Sequence, residues 1–342
     1  MKKGIDARVA LACLLGLVAL SVSSCIYVSS DGGWDRMAKY EREVELSAPL
    51  EAGSTFTAET RDGSITLEGT SAAECRLLAT IRTHALTEER ARELNEQIEV
   101  RLEPEGGGLR LVVDRPSVIR NASYGVSLVG TVPTRTGLNL VTSDGSVHLA
   151  RIEGHIDART SDGSIQAEDL TGDTRLKTSD GRIKGTRLEA GTLDLHTSDG
   201  SIELETVSAA SASVRTSDGR ITLANVHTES LALHTSDGSI HGREIATGQL
   251  NCRTSDGSIH IECTPEAPSD IDATISTSDG SITFVAPQGL SAMVEASTSD
   301  GSIHTDLPIT VAGKVNKSLR GTIGAGEGRL ILKTHDGSIT IR

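Results

Sequence analysis

From about residue 40 to the end of the chain, apolar and polar residues alternate in short runs. In "LDLHTSDGSIEL", Leu193, Leu195 and Thr197 share one face before a turn, and Ile202 and Leu204 resume that face after it. Asp194, His196 and Glu203 fill the other face. A period of two with one apolar side marks a half-buried strand, so the unit predicts strand, corner, strand. The corner, T-S-D-G-S-I with small variations, occurs eleven times, starting at Thr60, Thr142, Thr160, Thr178, Thr197, Thr216, Thr235, Thr254, Thr277, Thr298 and Thr334. From Thr142 on, the steps between copies are 18, 18, 19, 19, 19, 19, 23, 21 and 36 residues.

The Asp-Gly pairs of these corners are Asp62 and Gly63, Asp144 and Gly145, Asp162 and Gly163, Asp180 and Gly181, Asp199 and Gly200, and Asp218 and Gly219. They continue with Asp237 and Gly238, Asp256 and Gly257, Asp279 and Gly280, Asp300 and Gly301, and Asp336 and Gly337. Gly is expected to supply a positive φ there. Asp is expected to hydrogen-bond its own following backbone. A chain of hairpins and a β-solenoid both accommodate such units. The solenoid is preferred because stacked coils bring each corner onto the previous one, which accounts for near-identity at one position of every repeat. Sequential stacking is expected, with the N-terminal part capping one end and the insertion at 306–329 protecting the other.

The pattern breaks once. "LTEERARELNEQIEV" predicts a helix at about 87–97, with Thr87 as N-cap and Glu88 and Glu89 in the first turn. "IEVRLEPEGGGLRLVVDRP" then predicts two strands around a Gly-rich turn. The resulting division is a signal segment 1–24, a tether 25–39, a small α+β segment 40–130 and a solenoid 131–342 with coils of 18–19 residues.

The first residues change the picture of location. "MKKGIDAR" is a charged leader and "VALACLLGLVAL" an apolar stretch too short for a typical membrane span. "VSSC" at 22–25 resembles the lipobox of bacterial lipoproteins, which implies cleavage before Cys25 and lipidation of Cys25. Ile26 stands where an Asp resembles an inner-membrane retention signal, so the outer membrane is expected.

Composition narrows the chemistry. The net charge is −14 and aromatic residues are 2% of the chain. Nucleic acid is excluded as a partner on both counts, since its sites need clustered cations and stacking rings. No H-E-x-x-H, C-x-x-C or G-x-S-x-G spacing occurs, and His148, His196, His234, His241 and His260 sit mostly at polar positions of the alternation. The corner carboxylates share one repeated environment, whereas catalysis needs one special place. No enzyme, no cofactor and no required metal are expected, with at most modest stabilisation by calcium. Cys75, Cys252 and Cys263 are read as buried thiols, with Cys252 and Cys263, on the two arms around one corner, as a candidate disulfide.

The strand repeats with D-G corners, "TVPTRTGLNLVTSDGSV" at 131–147 and the ending "GAGEGRLILKTHDGSITIR" resemble the bacterial putative-adhesin β-strand-repeat family, a family of unknown function. The resemblance covers roughly 40–342 and extends to autotransporter-adhesin-like head domains. It implies an all-β, right-handed single-stranded β-helix and brings no catalytic residue set. The expected function is a lipid-anchored cell-envelope solenoid serving as a structural or adhesin-like binding surface. Its expected contacts are the membrane through the anchor and an envelope or surface protein or polysaccharide. A periplasm-facing scaffold or sensor is the alternative, and a polysaccharide-active enzyme the third class.

Overall fold

The computed structural model describes residues 22–23, 37–117, 119, 121–311 and 317–342. Cys25 and most of the leader and tether lie outside the described residues. Among the described residues the fold is nearly all-β, with one helix, Glu88–Glu96. Strands of successive repeats pair in parallel and in register. Ile183–His196, Ile202–Arg215, Ile221–His234 and Ile240–Arg253 stack directly, each adding one coil. The hairpin alternative is thereby set aside for the repeats, because strands equivalent in sequence are neighbours in space.

The inward residues form columns. Ile183, Ile202, Ile221, Ile240 and Ile259 stack just after the corner, and each is at most 1% exposed. Just before it run Leu176, Leu195, Val214, Leu233, Cys252 and Ile275. Burial of these aliphatic columns drives the stacking, and one coil cannot bury its apolar face without a neighbour. Thin layers of this kind need few aromatic rings.

The stacking order departs from the chain order at both ends. Ile65–Thr70 pairs in parallel with Val147–Glu153, so the copy at Thr60 is the first coil of the same solenoid. Residues before and between these two coils cap it. Ala122–Pro133 covers Ile65–Thr70, and Glu74–Ala85 and Ala38–Pro49 continue as an antiparallel sheet. The helix starts at Thr87, whose side chain accepts from the Arg90 N–H, and buries Ala91, Leu94 and Asn95. Arg42 ties down its far end, donating to the Asn95 and Ile98 carbonyls at 3.1 and 2.5 Å.

At the other end the last repeat is intercalated. Gly328–Lys333 pairs with Asp272–Ser276 on one side and Ala292–Ser297 on the other. Ile339 likewise lies between Ile282 and Ile303. The coil of Thr334 therefore separates those of Thr277 and Thr298, where sequential stacking had been expected. The 36-residue step makes this feasible, because the intervening chain is long enough to run past the Thr298 coil and return. Its strand Ser318–Ile323 pairs antiparallel with Ala292–Ser297.

Two expectations about the corner are corrected. None of the eleven corner glycines has a positive φ. Each is required by close approach instead: a Cβ on Gly219 would lie 1.9 Å from the Gly200 carbonyl oxygen, and the same collision recurs through the column. Nor does Asp cap the turn. Thr does: Thr216 Oγ1 lies 3.0 Å from both the Ser198 and Gly200 carbonyls of the preceding coil and accepts from its own Gly219 N–H at 3.1 Å. The reason is placement, since the Thr side chain points into the coil while the Asp side chain points out.

Candidate functional site

The solenoid turns its repeats into surface columns. Neighbouring coils are about 4.8 Å apart along the stack. All eleven corner aspartates are exposed and form one row. Asp62 has Arg61 at 3.7 Å, and Asp336 has His335 at 3.6 Å. The other nine, from Asp144 to Asp300, make no side-chain hydrogen bond or ion pair among the described residues. At this spacing adjacent carboxylates repel by roughly 0.9 kcal/mol in water before salt screening. At the capped end, burial and then the neighbouring Asp144 raise the Asp62 pKa above its ordinary value, with Arg61 opposing.

A second row runs beside the first, three residues earlier in each coil. Arg159, Lys177, His196, Arg215, His234 and Arg253 stack in consecutive coils. Arg159 is held by Asp157 at 2.6 Å, and Arg215 has Asp194 at 3.5 Å. Lys177 and Arg253 have no ion pair among the described residues. Between the acidic and basic rows lies the second residue of each motif, Ser in nine of the eleven copies, with Arg61 and His335 as the exceptions. Single cations beside the corners are visible in the sequence, but their alignment into a continuous row depends on the register.

A third column was missed altogether. Arg151, Asp169, Arg187, Thr206, Asn225 and Glu244 all have φ between 53° and 58°. They form a second corner, left-handed and built without glycine. The available signal is a break in the alternation: buried Val147 and Leu149 are followed by buried Ile152, a step of three. The residue types differ from coil to coil, so no motif marks it. Arg187 bridges to Asp169 Oδ1 at 2.5 Å and also to Glu168, and Asn225 Nδ2 donates to Thr206 Oγ1 at 3.4 Å.

The remaining candidates are local. Asp300, His335 and Asp336 bring three exposed ligand atoms within 4.8 Å of one another, where the intercalated coil meets the terminal one. Near the capped end, Arg61, Arg110 and Arg115 border a groove with Tyr124, and the Arg115 guanidinium lies 5.6 Å from the Tyr124 ring centre. Cys252 and Cys263 face inward, but the expected disulfide is not formed: both are free, buried thiols. They stand in different columns, Cys252 between Leu233 and Ile275 and Cys263 against Ile245. Burial pushes the Cys75 and Cys263 thiols up to about 12, and Cys252 higher still, which keeps all three protonated. No helix among the described residues is long and apolar enough to cross a membrane.

Fold and columns together define a β-solenoid repeat protein. The chain belongs to the Toastrack DUF4097 family, whose model matches residues 170–342. A comparison with curated proteins finds no match. Among solved structures it is similar to a putative cell adhesion protein from Clostridium sporogenes, at 10% identity over 87% of this chain and 97% of that one, with a TM-score of 0.20. It is also similar to a putative adhesin from Bacteroides fragilis, at 15% identity over 88% and 97%, with a TM-score of 0.36. A third likeness is to a putative lipid binding protein from Parabacteroides distasonis, at 15% identity over 89% and 96%, with a TM-score of 0.40.

Proposed function

We propose that this protein is a lipid-anchored component of the bacterial cell envelope that presents a non-catalytic structural or binding surface. The observation that carries the reading is the uniformity of the corner edge. An exposed Asp recurs in every coil, with Ser before it in nine of the eleven, over about 48 Å at strand spacing. A surface of this kind suits repeated weak contacts along a line better than one reaction at one place. The lipobox-like "VSSC" supports the anchor, with Cys25 as the lipidated residue.

The test is fractionation of cells expressing the wild type or Cys25→Ser. The wild type is expected in the membrane, and the variant in the soluble fraction or as an uncleaved precursor. Processed Cys25→Ser protein that still partitions into detergent would overturn the anchor. Protease treatment of intact cells then separates an outward-facing adhesin, which is removed, from a periplasm-facing scaffold, which is spared.

A further inference from the structure

Most of the repeated motif is explained by the coil itself. Thr bonds the preceding coil, Gly permits close stacking, and Ile fills the core. The Asp side chain is not explained in this way. From Asp144 to Asp300 it is exposed and bonds nothing among the described residues, yet it recurs in every copy and sets like charges one strand spacing apart. A coil built for itself alone would gain from breaking this row. The row of Arg159, Lys177, His196, Arg215, His234 and Arg253 runs parallel to it, three residues away in the chain. The two rows do not pair with each other within the molecule, and the serines between them leave a low strip.

We propose that this corner edge docks a second copy of the same chain, side by side and parallel, about a two-fold axis running along the serine strip. Symmetry and charge select the arrangement. A two-fold parallel to the solenoid axis keeps every coil at its own height and exchanges left for right. From Asp162 to Asp256 each Asp row then faces the partner's basic row, coil against equivalent coil, so that Asp218 of one copy meets Arg215 of the other. A two-fold across the axis within the contact face would instead lay Asp row on Asp row. The contact is isologous and closes as a dimer.

The period favours a second copy over other charged partners. A partner must present both signs at strand spacing along a straight edge, and another copy of this solenoid does so in register over the six coils from Arg159 to Arg253. A polyanion lying on the basic row would run beside the unpaired Asp row. The strip holds only charged and small polar side chains and lacks the apolar core that stable interfaces bury. Pairing is therefore weak in dilute solution and promoted when both copies are confined to one membrane, where a parallel pair places both N-termini at the same end. This last point rests on the anchored reading above; the docking geometry does not.

The test is disulfide trapping between two differently tagged full-length copies, one carrying Arg215→Cys and the other Asp218→Cys. Both positions are exposed, and Cys75, Cys252 and Cys263 are buried. Mild oxidation in native membranes is expected to give the mixed dimer in about tenfold excess over a pair carrying Arg215→Cys and Asp256→Cys, whose partner site is two coils or about 10 Å away. The mixed dimer should also exceed the Asp218→Cys homodimer. Equal yields from matched and offset pairs, or a dominant Asp218→Cys homodimer, would overturn the proposal. Repeating the reaction on concentrated, detergent-solubilised protein separates the two readings. Trapping there, in a chain that fractionation shows to be unanchored, keeps the docking surface and removes only the membrane's contribution.

Discussion

Replacing Gly219 with Ala puts the explanation of the corner at risk. A Cβ at this position would sit 1.9 Å from the Gly200 oxygen and 2.5 Å from its carbonyl carbon. Side-chain carbons do not approach backbone closer than about 3 Å, so the two coils must separate locally by about 1 Å or shear. Three bonds are stretched by that movement: Ser217 N–H and Asp218 N–H to the Ser198 carbonyl, at 2.8 and 3.0 Å, and Thr216 Oγ1 to the Gly200 carbonyl, at 3.0 Å. At about 1 kcal/mol each, and more where a buried group is left unpaired, the loss is about 3–5 kcal/mol. A glycine kept only for a positive φ behaves differently. Gly53 has φ +91° and open space around it, so Gly53→Ala costs about 1 kcal/mol. Coils of a solenoid can open separately, so urea unfolding should be read beside amide exchange of the coils flanking residue 219. A Gly219→Ala protein within 1 kcal/mol of wild type, with unchanged protection in those coils, would refute the close-approach argument.

Two further outcomes follow from the other columns. Thr206 is β-branched yet holds φ 58°, so Thr206→Asn, which tolerates that conformation, should stabilise by about 1 kcal/mol, and a lower urea midpoint would count against it. The pKa of His196 is lowered from its ordinary 6.5 by burial first, then by Lys177, Arg215 and Arg175 against the opposing pull of Asp194. That of His241 is lowered by burial, Arg220 and His260. The unfolded chain therefore takes up these protons more readily, and the stability both groups lend at neutral pH is lost as pH falls below about 6.5. A His196→Gln, His241→Gln double variant should lose less stability between pH 7 and about pH 5 than wild type, and an identical loss would show that other groups set the acid response.

Much of this protein is legible without its structure. The alternation around Leu193, Leu195, Ile202 and Leu204 defines strands because a pleated strand repeats every two residues. The 18–19-residue return of one corner defines stacked coils because only stacking makes equivalent residues neighbours. Thr87 with Glu88 and Glu89 marks the helix start through local capping alone. All of these depend on interactions close in the chain or on strict repetition. What tertiary structure alone decided depends on contacts between distant residues. Gly219 serves a neighbouring carbonyl rather than its own φ, which is invisible until the Gly200 coil is in place. The copy at Thr334 lies between those of Thr277 and Thr298, because parallel pairing rewards any coil that fits the edge, whatever its place in the chain. Arg159, Lys177 and Arg215 are scattered cations in the sequence and become one row only when the register sets them at strand spacing.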